Sequence, residues 1–86
     1  MRKEYLVKDP LGLHARPATL IVQELGKHEN NINLIYNDKE VNGKSIMGVM
    51  SLAISVGTSF SIDIEGDNAD SIFENIEAIL TKHSII

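Results

Sequence analysis

The sequence predicts an α+β domain, an antiparallel sheet covered on one face by helices. Three observations predict it. Four short stretches alternate apolar and polar residues with the period of a strand. Three intervening stretches repeat apolar residues at helical spacing. The strand-like stretches carry one apolar face each, which suits a sheet packed on one side and wet on the other. The predicted order is β-α-β-β-α-β-α, four strands with three helices on one face.

The first strand is expected over Glu4–Lys8, with Tyr5 and Val7 on one face. Asp9-Pro10-Leu11-Gly12 ends it, since Pro and Gly so close together mark a turn. The first helix is expected from Arg16 or Pro17 to about Lys27. Ala18, Ile21, Val22 and Leu25 form its apolar stripe, and Gly26 marks its fraying end. A proline suits a first turn, where a backbone donor has no partner, and it biases Arg16 before it away from helical dihedrals. Asn31–Asn37 alternates, with Ile32, Leu34 and Tyr36 on one face. Asn37-Asp38-Lys39 turns the chain into a short partner strand, Glu40–Asn42, completing a hairpin.

Ser45 is a good N-cap for a second helix. The apolar residues after it are Ile46, Met47, Val49, Met50, Leu52 and Ala53, more than one buried stripe requires, so some lie on the surface. Gly57-Thr58 closes this segment. Ser59–Glu65 alternates again, with Phe60, Ile62 and Ile64 inward. Gly66-Asp67-Asn68 turns and caps a last helix with the stripe Ala69, Ile72, Phe73, Ile76, Ile79 and Leu80. Lys82 and His83 fall at its C-terminal end, where cations suit the dipole.

Composition narrows the function. At 86 residues the chain makes one small domain, and 43% hydrophobic residues suffice for a core. No cysteine is present, which excludes disulfides, thiol catalysis and cysteine-ligated metals. A net charge of −4 argues against nucleic acid as a partner. Neither a signal peptide nor an apolar run long enough for membrane insertion is visible, so the cytoplasm is expected.

The chemistry concentrates in Gly12-Leu13-His14-Ala15-Arg16-Pro17-Ala18. A helix start there offers free amides and the positive end of a dipole, a natural anion site. Neutral imidazole is abundant near pH 7 and has a nucleophilic lone pair, so His14 can itself carry a phosphoryl group. Arg16 can hold phosphoryl oxygens through paired N–H bonds. His28 and His83 sit in other elements and read as solvated surface residues, and the acidic residues of the last helix read as a solvated face. No His/Asp/Glu spacing reads as a metal site, and no cofactor is implied. Gly43-Lys44-Ser45 is not a P-loop, because the glycine required five residues earlier is Asp38.

Gly12–Ala18 resembles the active-site signature of HPr, the histidine-containing phosphocarrier family of the bacterial phosphoenolpyruvate:sugar phosphotransferase system. Lys44-Ser45-Ile46-Met47-Gly48-Val49-Met50-Ser51-Leu52 resembles its regulatory-serine segment in the Gram-positive form. The resemblance spans the chain and implies an open-faced β-sandwich. It implies that His14 takes phosphate on Nδ1 from phospho-enzyme I and passes it to IIA domains of sugar permeases, with Arg16 steadying the phosphoryl group. It further implies phosphorylation of Ser45 by HPr kinase/phosphorylase and a role of that form with a catabolite-control regulator. Docking is expected on Ala15, Pro17, Ala18, Ile46, Met47 and Met50. Position 11 is leucine, where sugar-system members carry a small polar residue. The chain is thus expected to be a monomeric relay component rather than an enzyme. The alternative is a paralogous carrier of a nitrogen-type or kinase-linked circuit, acting mainly as a signalling adaptor.

Overall fold

The computed structural model describes residues 1–86. Its elements are β1 (Arg2–Leu6), α1 (Ala15–Leu25), β2 (Ile32–Tyr36), β3 (Lys39–Asn42), α2 (Ile46–Ser51), β4 (Ser59–Ile64) and α3 (Ala69–Lys82). The order matches the sequence expectation. The four strands form one antiparallel sheet in the order β1-β4-β2-β3, so the last strand lies between the first two.

Register follows from the alternation. Tyr5 lies opposite Phe60, Leu34 opposite Ile62 and Ile32 opposite Ile64, which places all six side chains on one face. A slip of one residue would turn that face to water. These residues join the stripes of α1 and α3 in one core of 21 buried side chains. Phe60, Phe73, Ile21 and Leu25 are among the largest of them. The opposite face presents Asn33, Ser61 and Asp63, so the sandwich is open on one side. Asn37 and Asp38 both adopt left-handed dihedrals, the form that suits a two-residue hairpin, so Lys39 already belongs to β3.

Several boundaries differ from expectation, each for a local reason. Strand β1 runs Arg2–Leu6 rather than Glu4–Lys8, because β4 begins at Ser59, the partner of Leu6. Tyr5 and Val7 are nonetheless both buried, as the pattern required. Helix α1 starts at Ala15, one turn position earlier than Arg16, and closes at Leu25 on a Gly26 cap. Pro17 is its third residue. The first four amides of a helix have no internal acceptor, so proline forfeits nothing there and Arg16 remains helical.

The second helix is shorter than its apolar run. It stops at Ser51, and Ala53 takes a left-handed φ of 51° that a helix does not tolerate. Ile54 is buried from a loop instead of a helix. At α3, Asn68 occupies the N-cap but its side chain caps nothing; its Oδ1 accepts from Asn30 Nδ2 at 2.6 Å. Ile79 is only half-buried, while the rest of the predicted stripe is buried.

Two acidic side chains, Glu24 and Glu77, are built into the fold. Glu24 on α1 is buried and meets Lys27 Nζ (3.4 Å), His28 Nε2 (3.0 Å) and, from α3, Asn75 Nδ2 (3.4 Å). Burial alone would raise its carboxyl, but the hydrogen bonds from His28 and Lys27 outweigh that and hold it below the usual value. The carboxylate therefore stabilises the fold at neutral pH, and this contribution fades as pH falls through its lowered value. Glu77 on α3 accepts the Tyr5 hydroxyl at 2.8 Å and a bond from Lys3 at 3.4 Å. Burial first, then the Glu77 hydrogen bond and charge, push the Tyr5 hydroxyl well above its ordinary range.

Candidate functional site: the start of helix α1

His14 is the N-cap of α1, with extended dihedrals (φ −78°, ψ −172°) and no side-chain cap bond. Its carbonyl accepts the Ala18 N–H at 3.0 Å, which opens the helical ladder. The amides of Ala15 and Arg16 have no acceptor in the protein. Two donors and the helix dipole thus lie beside an imidazole left free of capping duty.

The ring is held from the preceding loop. Asp9 Oδ2 lies 3.4 Å from His14 Nε2, and Asp9 Oδ1 accepts the Leu11 N–H at 3.0 Å. A carboxylate only accepts, so a hydrogen bond across this contact requires the ring proton on Nε2. In the neutral ring Nδ1 then holds the free lone pair. Gly12 gives the loop its shape with a positive φ of 70°, and its N–H returns to the Asp9 carbonyl at 2.9 Å. On the far side, Leu13 N–H reaches the Ile54 carbonyl at 2.9 Å.

An open cavity of about 430 Å³ surrounds the ring. Its lining includes Asp9, His14, Arg16, Leu20, Lys82 and His83. The turn after α3 explains the last two. Ser84 adopts a left-handed φ of 55° and Ile85 folds back into the core, its N–H on the Leu80 carbonyl at 2.8 Å. That leaves Lys82 and His83 beside the start of α1. His83, read from sequence as an isolated surface residue, therefore belongs to the His14 cavity. No group of three or more His, Cys, Asp or Glu side chains is arranged to hold a metal.

Arg16 is exposed and makes no ion pair, so its guanidinium is available to an anion. The neighbouring residues divide by burial. Ala15 is exposed, but Ala18 is fully buried and Pro17 is buried too, although it edges the cavity. Ala18 thus anchors the helix in the core and is no docking residue. Ser45 is the N-cap of α2, and its Oγ accepts the Gly48 N–H at 3.1 Å. Such a cap contributes about 1 kcal/mol. Beyond it Val49 points inward, while Ile46 (42%), Met47 (84%) and Met50 (39%) are the exposed apolar residues. Leu11 is also exposed, at 75%, on the rim of the His14 cavity.

Sequence reasoning missed Asp9, Lys82 and His83 at this site. Asp9 had a signal, a carboxylate five residues ahead of the histidine across a Pro-Leu-Gly turn. The other two had none, because the fold brings them from the opposite end of the chain.

The model of a family described as the PTS HPr component phosphorylation site matches residues 1–82. The chain belongs to the HPr family. The phosphocarrier protein HPr of Mycoplasma capricolum subsp. capricolum is 40% identical over 81 residues, covering 94% of this chain and 91% of that protein. The histidine-containing phosphocarrier of a mycoplasma superposes with a TM-score of 0.94 at 37% identity, over 100% of this chain and 98% of that one. HPr of Bacillus anthracis gives a TM-score of 0.81 at 42% identity, covering 92% and 94%. Crh of Bacillus subtilis, described as a catabolite-repression protein in a swapped dimer, gives 0.71 at 38%, covering 93% and 92%. Like HPr, the chain is a phosphocarrier relay component and not an enzyme. No helix is long and apolar enough to cross a membrane.

Proposed function

We propose that this chain is a cytoplasmic, monomeric relay that takes a phosphoryl group from phospho-enzyme I on His14 Nδ1 and gives it to IIA domains of sugar permeases. The observation that carries the reading is His14 at the N-cap of α1, its ring free of capping duty beside the unpaired amides of Ala15 and Arg16. The Nδ1 lone pair attacks phosphorus, the donor's bond to phosphorus breaks, and that electron pair leaves with the donor. Arg16 and the amides of Ala15 and Arg16 offer hydrogen bonds to the phosphoryl oxygens. Transfer to the next protein reverses these steps.

Ser45 is the second switch in this proposal, phosphorylated by an HPr kinase/phosphorylase and then read by a catabolite-control regulator. A phosphoserine at the N-cap places a dianion beside Ile46, Met47 and Met50, the exposed apolar surface to which relay partners dock. Met side chains adapt to several partners, which suits a carrier that must bind and leave each one.

The test presents each phosphodonor in turn. With enzyme I, phosphoenolpyruvate and magnesium, one acid-labile phosphoryl group is expected on His14. With the serine kinase and ATP, an acid-stable one is expected on Ser45. An acid-stable adduct from phosphoenolpyruvate overturns the relay, and labelling at Ser45 alone favours the signalling adaptor.

A further inference from the structure

We infer that Asp9 is a positioning residue for phosphoryl transfer, one that retains the Nε2 proton of His14 and so makes the phosphorylated ring a good leaving group. The inference rests on the relay reading of His14 given above.

Asp9 is the only carboxylate among the residues lining a cavity meant to receive an anion. Arg16 faces the cavity from α1, and Lys82 and His83 face it from the end of α3. A carboxylate in that company opposes phosphate unless it is committed elsewhere, and Asp9 is committed. One oxygen takes the Leu11 N–H and the other faces His14 Nε2, the ring nitrogen remote from the phosphoryl acceptor. The aspartate is also fixed in place. The Lys8 and Asp9 amides both donate to the Ile85 carbonyl, at 2.8 and 3.3 Å, and Ile85 is buried in the core. The turn after α3 therefore sets the backbone of Asp9, whose side chain in turn sets the ring of His14.

The consequence lies in the proton balance. The nucleophilic form of His14 is the neutral ring whose proton sits on Nε2, facing Asp9. When Nδ1 forms a bond to phosphorus, both ring nitrogens are substituted and the ring becomes a cation facing Asp9. No proton has to leave. When the phosphoryl group departs, the P–N pair returns to Nδ1 and the ring leaves as neutral imidazole. Without the Nε2 proton it would leave as imidazolate, a far poorer leaving group. A carboxylate partner strengthens the bond to the charged ring, as it does in other carboxylate–histidine pairs.

The test uses the full chain phosphorylated chemically with phosphoramidate, which needs no partner protein. Loss of phosphate from His14 is followed against pH in the unaltered chain, in Asp9→Asn and in Asp9→Ala. Asn keeps an acceptor for the Leu11 N–H, so it guards against a folding defect. With the charge gone, hydrolysis near pH 8 is expected to slow about fivefold, with the limiting rate in acid unchanged and the midpoint of the profile moved to lower pH. Asp9→Ala is expected to show the same shift, at least as large. Superimposable profiles for Asp9→Asn and the unaltered chain overturn the role of Asp9 while leaving the relay standing. Labelling that misses His14 overturns both.

Discussion

His14→Ala is expected to abolish phosphoryl acceptance from enzyme I while leaving the fold intact. The ring caps nothing, a third of it is exposed, and its one partner is Asp9 at 3.4 Å. Partly exposed pairs of this kind contribute about 0–1 kcal/mol, a small part of the stability of a domain. Nothing else in the cavity replaces the nucleophile, because His83 lacks a carboxylate partner and a helix start of its own. The expected result is no acid-labile label and a cooperative thermal transition close to that of the unaltered chain. Retained labelling would place the acceptor elsewhere. Loss of cooperative unfolding would mean that the loop is part of the core.

Gly12→Ala is expected to damage both stability and transfer. At φ +70° an L side chain is strained by about 1–2 kcal/mol. Its Cβ would also stand 2.5 Å from the Ile54 carbonyl oxygen and 3.1 Å from the Ser55 Cα. Both are backbone atoms, so one loop must move away from the other. The movement breaks the Leu13 N–H bond to Ile54 and carries His14 with it. A loss of about 2–4 kcal/mol follows from strain and a broken buried hydrogen bond together. Denaturant unfolding measures the loss, and the labelling rate with enzyme I falls with it. A variant as stable as the unaltered chain would show that the two loops are independent.

The sheet and its helices were legible because their signal is local. Alternation in Ile32–Tyr36 and Ser59–Ile64 sets both strand and buried face within a few residues. The start of α1 was legible to within two residues from Pro17, and the cap at Ser45 from its side chain and the apolar run after it. His14 and Arg16 stood out for the same reason. The features that escaped depend on distant partners. Glu24 lies in the last turn of α1 and His28 in the bend after it, yet His28 and, from α3, Asn75 both meet the Glu24 carboxylate. Ile54 belongs to a loop because Ala53 turns left-handed and Leu13 claims its carbonyl. Lys82 and His83 reach the site only because Ile85 folds back under the loop that precedes α1.

Leu11 gains a setting from the same geometry. Its backbone N–H, not its side chain, serves the site by fixing Asp9. A small polar side chain is therefore unnecessary at this position for holding the ring. The exposed leucine instead extends an apolar rim along the cavity.

The relay itself is tested most directly by a chase. The chain is labelled at His14 with radioactive phosphate, freed of donor, and mixed with an unlabelled IIA domain. The label is expected to leave the chain and appear on the IIA domain far faster than it is lost to water. Label that stays on His14 and decays only at its spontaneous rate would contradict the account.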